Sequence, residues 1–298
     1  MKHLLAVNRE TLAKQAALLR LTAASLAAGF KTGSFRSLFR GQGIEFSGVR
    51  EYLRGDDVRA IDWNVTARMG KPYVKLFEEE RELQIFIVVD RSRSMFSGTG
   101  SKTRYRTAAE AASLVAMAAE INASGIGAVF FDGDIQFSCA PESGRKRTML
   151  LLARLDEVDE YGVAGSALKS ALTGAGKLLK KRSLVFVFSD FRTTGWITSL
   201  ASLAQKNDVI AVRIIDESDN ELPEIGTVPF IDGETGTRLV LPSSSSAFRN
   251  AWRNDNRRRV AHWQESCIRH GAVPLTLSTD DEVVRVLSNF FSYKGRGQ

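Results

Sequence analysis

The chain has 298 residues, 44% of them hydrophobic and 25% charged, with a formal net charge of +7. This is the composition of a soluble globular protein long enough for one large α/β domain or two smaller ones with an ample core. Cys139 and Cys267 are the only cysteines; they are far apart and show no CxxC spacing, which excludes a disulfide framework and suggests two reduced thiols.

The first predicted element is a helix from about Arg9 to Phe30, with Leu12, Ala16, Leu19 and Ala23 on one face. The most apolar part of it, Leu21 to Phe30, is about half the length a bilayer span needs. No small-residue cleavage site follows an apolar core, so no signal peptide is expected and the cytoplasm is the expected compartment. Glycines and arginines from Gly33 to Phe46 point to loop and short strands. From Val49 to Asn64 opposite charges alternate closely (Arg50, Glu51, Arg54, Asp56, Asp57, Arg59, Asp62). They suit either a mutually paired network or a partner-docking surface. Pro72 to Phe77 alternates as a strand does.

From Gln84 the pattern becomes a regular strand-helix alternation. Gln84 to Asp90 is an apolar, β-branched run that reads as a strand buried on both faces. Helix is expected over Thr103–Asn122, strand over Ile126–Phe131, and a hairpin turn at Asp132-Gly133 into Ile135–Phe137. Lys146–Leu155 and Ser166–Leu179 read as helices, Ser183–Ser189 as a second buried strand, Ile197–Gln205 as a helix and Asp208–Ile215 as a strand. Two short runs over 226–241 flank Asp232–Gly236 as a hairpin. A long helix spans Ala247–His270 and is closed by Gly271. A last strand, Val273–Leu277, and a last helix, Asp281–Phe291, end the chain. The expected fold is α/β, a doubly wound, mostly parallel sheet over 83–298, preceded by an extension over 1–82.

Two of the buried strands end in aspartate, Asp90 and Asp190. Asp90 opens Asp90-x-Ser92-x-Ser94, three short oxygen-bearing side chains in alternation. Ligands of open α/β sheets bind at the carboxyl ends of the strands. Between the two lies Gly162–Leu168, a small-residue loop that offers Ser166. The candidate set is therefore Asp90, Ser92, Ser94, Ser166 and Asp190. Two carboxylates among hydroxyls form an all-oxygen shell that suits Mg²⁺ better than zinc. So little direct negative charge would leave the metal electropositive and ready to take a carboxylate from a partner protein.

These five residues resemble the metal-ion-dependent adhesion site of the von Willebrand factor A fold. The usual threonine of that site is replaced by Ser166, which keeps the hydroxyl. Upstream, Gly43-Ile44-Glu45-Phe46, Arg50-Glu51-Tyr52, Gly55-Asp56-Asp57, Ile61-Asp62-Trp63, Ala67-Arg68 and Val74-Lys75-x-Phe77-Glu78 resemble the bacterial family called domain of unknown function 58. That resemblance implies a von Willebrand factor A-like domain partnered with a MoxR-type AAA+ ATPase. It also implies a non-enzymatic adaptor role, in maturation of client proteins.

Other signals are weaker. Ser97–Thr103 superficially suggests a phosphate loop, but Phe96 and Ser101 stand where its glycines are required; a flexible loop is expected instead. The histidines, His3, His262 and His270, lack zinc-ligand spacing. Asp132 and Asp134 read as hairpin residues. The charge excess lies at the two ends: +4 over 1–83 (14 basic, 10 acidic) and +4 over 245–298 (9 basic, 5 acidic), against −1 between them (18 basic, 19 acidic). Together with Arg257-Arg258-Arg259 near Trp252 and Trp263, it leaves nucleic-acid binding as one alternative function. Metal-dependent hydrolysis at Asp90 and Asp190 is another.

Overall fold

The computed structural model describes residues 40–80, 83–157, 165–222, 224, 226–231 and 237–294. The helix expected over Arg9–Phe30 and the turn expected at Asp232–Gly236 lie outside them.

The N-terminal part is an antiparallel ribbon of β1 (Arg40–Glu51) and β2 (Tyr73–Glu80), with α1 (Trp63–Met69) between them. Its alternating charges are largely paired or used as caps. Arg50 grips Asp56 through two bonds of 2.7 Å, and Lys71 pairs with Glu51 at 3.0 Å. Asp62 caps α1 by accepting from the N–H groups of Asn64 and Val65. Gly70 closes the helix at φ +70°, a conformation that favours glycine. Leu53, Val58, Trp63 and Met69 remain exposed.

The remaining chain builds three layers. In chain order these are β3 (Gln84–Asp90), α2 (Arg104–Ile121), β4 (Gly125–Phe131), β5 (Ile135–Glu142), α3 (Arg145–Asp156), α4 (Leu168–Leu178), β6 (Leu184–Ser189), α5 (Ile197–Ala204), β7 (Asp208–Ile215) and α6 (Glu217–Asn220). The hairpin of β8 (Thr227–Ile231) and β9 (Arg238–Pro242) follows, then α7 (Ser246–Arg269), β10 (Ala272–Ser278) and α8 (Val283–Lys294). The central sheet has the order β10-β7-β6-β3-β4-β5, and every neighbour pair is parallel except β4 with β5.

Apolar runs without polar alternation are needed where both faces are covered, and β3 shows why. Ile85, Ile87 and Val89 join the core under α2, α3 and α8, which includes Leu114, Leu151 and Leu287. Phe86 and Val88 join the opposite core under α4, α5 and α7, which includes Leu172, Leu200 and Trp263.

Strand order also fixes where a site can form. After β3 the chain moves outward through β4 and β5, then returns to place β6 on the other side of β3. The crevice between the carboxyl ends of β3 and β6 is therefore the topological switch point.

Gly127 sits in β4 where backbones and rings crowd. A Cβ there would lie 2.7 Å from the carbonyl oxygen of Cys139 and 2.8 Å from the Phe86 ring. Gly127→Ala is expected to lose about 1–3 kcal/mol in urea unfolding, through overpacking that the sheet cannot relax. A loss near zero would mean that β5 can move away from β4.

From Gln84 on, the sequence boundaries hold within about three residues for most elements. Before it they do not: the stretch expected as loop and short strands carries the long strand β1, Arg40–Glu51, and the helix α1 is not anticipated. The second strand of the β4–β5 hairpin is longer than expected, running to Glu142. Ser166 does not lie in a helix, since α4 begins at Leu168.

Candidate functional site

Asp90 is the last residue of β3, and Asp190 follows the last residue of β6. Val89 faces Phe188 in the parallel register, so the two aspartates flank the switch-point crevice. Each accepts a hydrogen bond from the backbone two residues on. Asp90 Oδ1 takes it from Ser92 N at 2.9 Å, and Asp190 Oδ1 from Arg192 N at 3.1 Å. Such short-range bonds turn the chain sharply after each strand.

The remaining carboxylate oxygens differ. Asp90 Oδ2 accepts from Ser189 Oγ at 2.6 Å. Asp190 Oδ2 is buried and has no hydrogen-bond partner; Arg192 Nε lies 3.8 Å away, beyond hydrogen-bond distance. Ser92 and Ser94 share a hydrogen bond at 3.2 Å between hydroxyls. Ser166 Oγ is also buried without a partner. Its loop is tied to the carboxyl end of β4 by Ala167 N, which donates to the Asp132 carbonyl at 2.6 Å. The turn at Gly165 has φ +90°.

All five sequence-derived residues thus lie at the carboxyl edge of the sheet. Burial, followed by repulsion from Asp190, pushes the Asp90 carboxyl up to about 7. Two carboxylates sharing a dry crevice are costly unless something positive joins them. Ser166 Oγ and Asp190 Oδ2 are dehydrated and make no hydrogen bond, although the Arg192 guanidinium sits at ion-pair distance from the latter; oxygens left unclaimed in this way are what a hard cation would take. Among the described residues, no group of three or more His, Cys, Asp or Glu side chains could hold a metal ion. A cation here would rest on two carboxylates and on hydroxyls.

Ser189 was missed as part of this site, although its signal was present. Asp90 has the strand parity of Val88, and Ser189 that of Val187; both valines point into the α4, α5 and α7 core. Their polar ends therefore meet on one face of the sheet. The backbone next to the site is strained: Phe191 has φ +52°. Its ring packs on Trp196 and Trp263, at 5.2 and 5.7 Å between centroids, which holds the unfavourable conformation.

A third strand, β7, also ends in aspartate, and its surroundings distinguish it. Asp216 Oδ1 accepts from Thr99 Oγ1 at 2.7 Å, Ser218 N at 3.1 Å and Ser218 Oγ at 2.6 Å. Its Oδ2 accepts from Thr99 N at 3.0 Å and Thr279 Oγ1 at 3.1 Å. Burial alone would raise this carboxyl; the bonds from Ser218 and Thr99 outweigh it and hold the group well below the usual carboxylate range. Five donors leave no oxygen for a cation.

The Ser97–Thr103 segment, expected to be a flexible loop, is instead tied to Asp216 through Thr99. Asp132 accepts from Asp134 N and from Gln136 Nε2, as a turn residue does. Trp263 is buried, and Trp252 donates to the Ser218 carbonyl at 3.0 Å. Arg257 and Arg258 are exposed, and Arg259 pairs with Asp255 at 3.2 Å.

With this geometry in place, comparison with known proteins gives the family. The family described as "Protein of unknown function DUF58" matches residues 48–262, well over half of the chain. The chain belongs to the DUF58 family. Its fold is the α/β, doubly wound and mostly parallel sheet that the sequence leads one to expect. It is similar to the uncharacterized protein Rv1480 of Mycobacterium tuberculosis, 29% identical over 285 residues, covering 94% of this chain and 88% of that protein. The uncharacterized protein MAV169 of Mycobacterium avium is 30% identical over 165 residues, covering 52% of this chain and 92% of that protein.

Among solved structures, it is similar to an aerotolerance-related membrane protein from Bacteroides fragilis NCTC 9343. The identity is 16%, 72% of this chain and 100% of that chain are covered, and the TM-score is 0.46. For the SpRpn10 VWA domain the identity is 13%, the coverage 70% and 95%, and the TM-score 0.40. At these scores neither bears on the site. Among the described residues no helix is long and apolar enough to cross a membrane.

Proposed function

We propose that this DUF58 chain is a cation-dependent protein-docking module, in which Asp90, Ser92, Ser94, Ser166 and Asp190 hold Mg²⁺. The observation that carries this reading is that Ser166 Oγ and Asp190 Oδ2 are both buried without a hydrogen-bond partner, with Asp190 close enough to Asp90 to repel its charge. Bound there, the ion would supply an electropositive position for a carboxylate of a partner protein.

The chain's own residues prepare that position. Ser189 fixes the second oxygen of Asp90, and the backbone bonds of Ser92 and Arg192 fix the angles of both carboxylates. Arg104 donates to the carbonyl oxygens of Ser94 and Ser97, each at 3.3 Å, and so holds the serine-bearing turn. The exposed Leu53, Val58, Trp63 and Met69 of the N-terminal part supply a further surface of the kind that protein partners cover. The partner in this reading is a cytoplasmic MoxR-type AAA+ ATPase, and the joint role is chaperone-like maturation of a client protein. The chain itself acts by binding and does not catalyse a reaction.

The test is capture of a purified MoxR-type AAA+ ATPase from the same organism, in Mg²⁺ and in chelator. Mg²⁺ should support capture. Asp90→Ala should reduce it to the level seen in chelator while circular dichroism stays native-like and unfolding stays cooperative. Equal capture with and without Mg²⁺ would sink the metal-bridge reading.

A further inference from the structure

A groove of about 460 Å³ runs between α4 and α5 toward the amino edge of the sheet, away from the Asp90–Asp190 crevice. Lys177, Lys180, Lys181, Arg182 and Lys206 converge on it. Arg182 is already paired with Asp208 at 2.8 Å. The four lysines are exposed and have no carboxylate partner among the described residues.

Helix stabilisation does not account for this cluster. Only Lys177 lies in the last turn of a helix, where a cation favours the macrodipole. Lys180 and Lys181 lie beyond the end of α4, and Lys206 beyond the end of α5. The ground under them is held firm. Asn207 accepts from Ser183 N at 3.1 Å and donates to the Leu203 carbonyl at 3.0 Å, which locks the segments before β6 and β7 together.

The rest of the lining narrows the ligand. Leu172 and Leu203 lie beneath the groove and are almost fully buried, so half-buried Leu179 and the lysine stems supply its apolar surface; the hydroxyls of Thr198 and Ser202 stand on the α5 wall. No aromatic ring lines the groove, so it offers no stacking platform for single-stranded nucleic acid. Both helices direct their carboxyl ends, rather than their N–H groups, toward the lysines, so the groove is no helix N-terminal cradle for a compact phosphate. Lysines around an apolar surface, with hydroxyls able to meet a peptide backbone, fit a chain that alternates carboxylates with aliphatic side chains.

We infer that the α4–α5 groove is a second docking site, for an acidic, leucine-containing peptide segment of a partner protein. It lies at the sheet edge opposite the proposed cation site, so its occupancy is independent of Mg²⁺.

The test uses the full chain and the fluorescein-labelled peptide Glu-Glu-Leu-Glu-Glu-Leu-Glu-Glu, followed by anisotropy at low salt. Binding should be equal in Mg²⁺ and in chelator, and unchanged by Asp90→Ala, which separates this site from the cation reading. The triple variant K180E/K181E/K206E should weaken binding by at least about tenfold. Ser202→Trp, which keeps every charge but fills the groove, should weaken it comparably. Replacing both leucines of the peptide by serine should cost about threefold or more, through loss of contact with that apolar surface. The control R257E/R258E, on exposed arginines of α7, should stay within about twofold. The inference is overturned if that control weakens binding as much as the lysine variant, because net charge alone is then responsible. It is also overturned if Ser202→Trp binds normally, or if single-stranded DNA binds more tightly than the peptide and loses affinity with the same lysines.

Discussion

Asp219→Ala is expected to destabilise the fold by about 3–5 kcal/mol, the usual cost of removing one partner from a buried ion pair. Asp219 is 3% exposed and faces Arg104, also 3% exposed, at 2.6 Å. Arg192 donates to the same Asp219 oxygen. Removing that carboxylate leaves two guanidinium groups close together without their shared counter-charge. A third cation also feels the loss: Asp219 is the principal attraction offsetting the burial that lowers the Arg213 pKa. The second Asp219 oxygen accepts from Asp216 N at 3.0 Å, half of the capping box of α6, so the substitution removes a cap as well.

Urea unfolding measures the loss. Coupling to Arg104 is tested by a double-mutant cycle with Arg104→Met, which should recover part of the loss because no lone buried charge then remains at that position. A loss below about 1 kcal/mol for Asp219→Ala alone would show that the arginines find water or other partners. Arg104 also holds the Ser94 and Ser97 carbonyls. Asp219→Ala should therefore loosen the serine-bearing turn and weaken Mg²⁺ binding, although Asp219 is no member of the five-residue set.

The second large effect concerns pH and Asp90. Its folded pKa is raised from an ordinary 3.8 to about 7, by burial first and by Asp190 second. A carboxyl raised in the folded state binds its proton more tightly there than in the unfolded chain. The resulting stability is fully present below the unfolded value and is lost as pH rises through the folded one. In chelator, the protein should therefore melt lower at pH 8 than at pH 5, with about 2–4 kcal/mol of this difference traceable to Asp90.

Asp90→Asn should flatten this dependence and, in chelator at pH 8, melt higher than the unaltered chain. Its side chain stays uncharged and can still accept from Ser92 N. If the proposed Mg²⁺ site is real, adding Mg²⁺ at pH 8 should recover the lost stability in the unaltered chain and not in Asp90→Asn. An unaltered chain whose melting temperature is flat from pH 5 to 8 would mean that Asp90 is already charged and compensated at low pH.

The strand positions were legible because burial on both faces leaves a local mark. Ile85–Val89, Leu184–Phe188 and Val209–Ile214 are apolar runs with few polar interruptions, and each became an interior strand of the sheet. The long helix α7 was legible from its length and its closing glycine. Arg213 goes against this local rule, since it is a cation buried inside β7, with its guanidinium over the Trp263 ring at 5.7 Å. The apolar run hid it because its compensation comes from Asp219 and Trp263, which lie in other elements. The Thr99 bonds to Asp216 were hidden in the same way, since glycines on both sides of Thr99 suggested looseness. Of the two, Gly98 is small for a packing reason. A Cβ at Gly98 would lie 2.8 Å from the backbone carbonyl oxygen of Lys102, whereas one at Gly100 would meet only the movable end of the Asp280 side chain.

The candidate site divides along the same line. By itself the sequence determined that Asp90-x-Ser92-x-Ser94 and Asp190 follow buried strands, because strand burial and the polar break after it are written in neighbouring residues. Only the tertiary structure decided which strand-end aspartates keep an oxygen unclaimed. Asp216 loses both of its oxygens to donors that include Thr99 and Thr279, 117 and 63 residues away along the chain. Asp90 shares one with Ser189, 99 residues away, and Asp190 keeps one without a donor. Hydrogen-bond satisfaction depends on strand register and on which loops reach the sheet edge. The residues next to an aspartate carry no record of either.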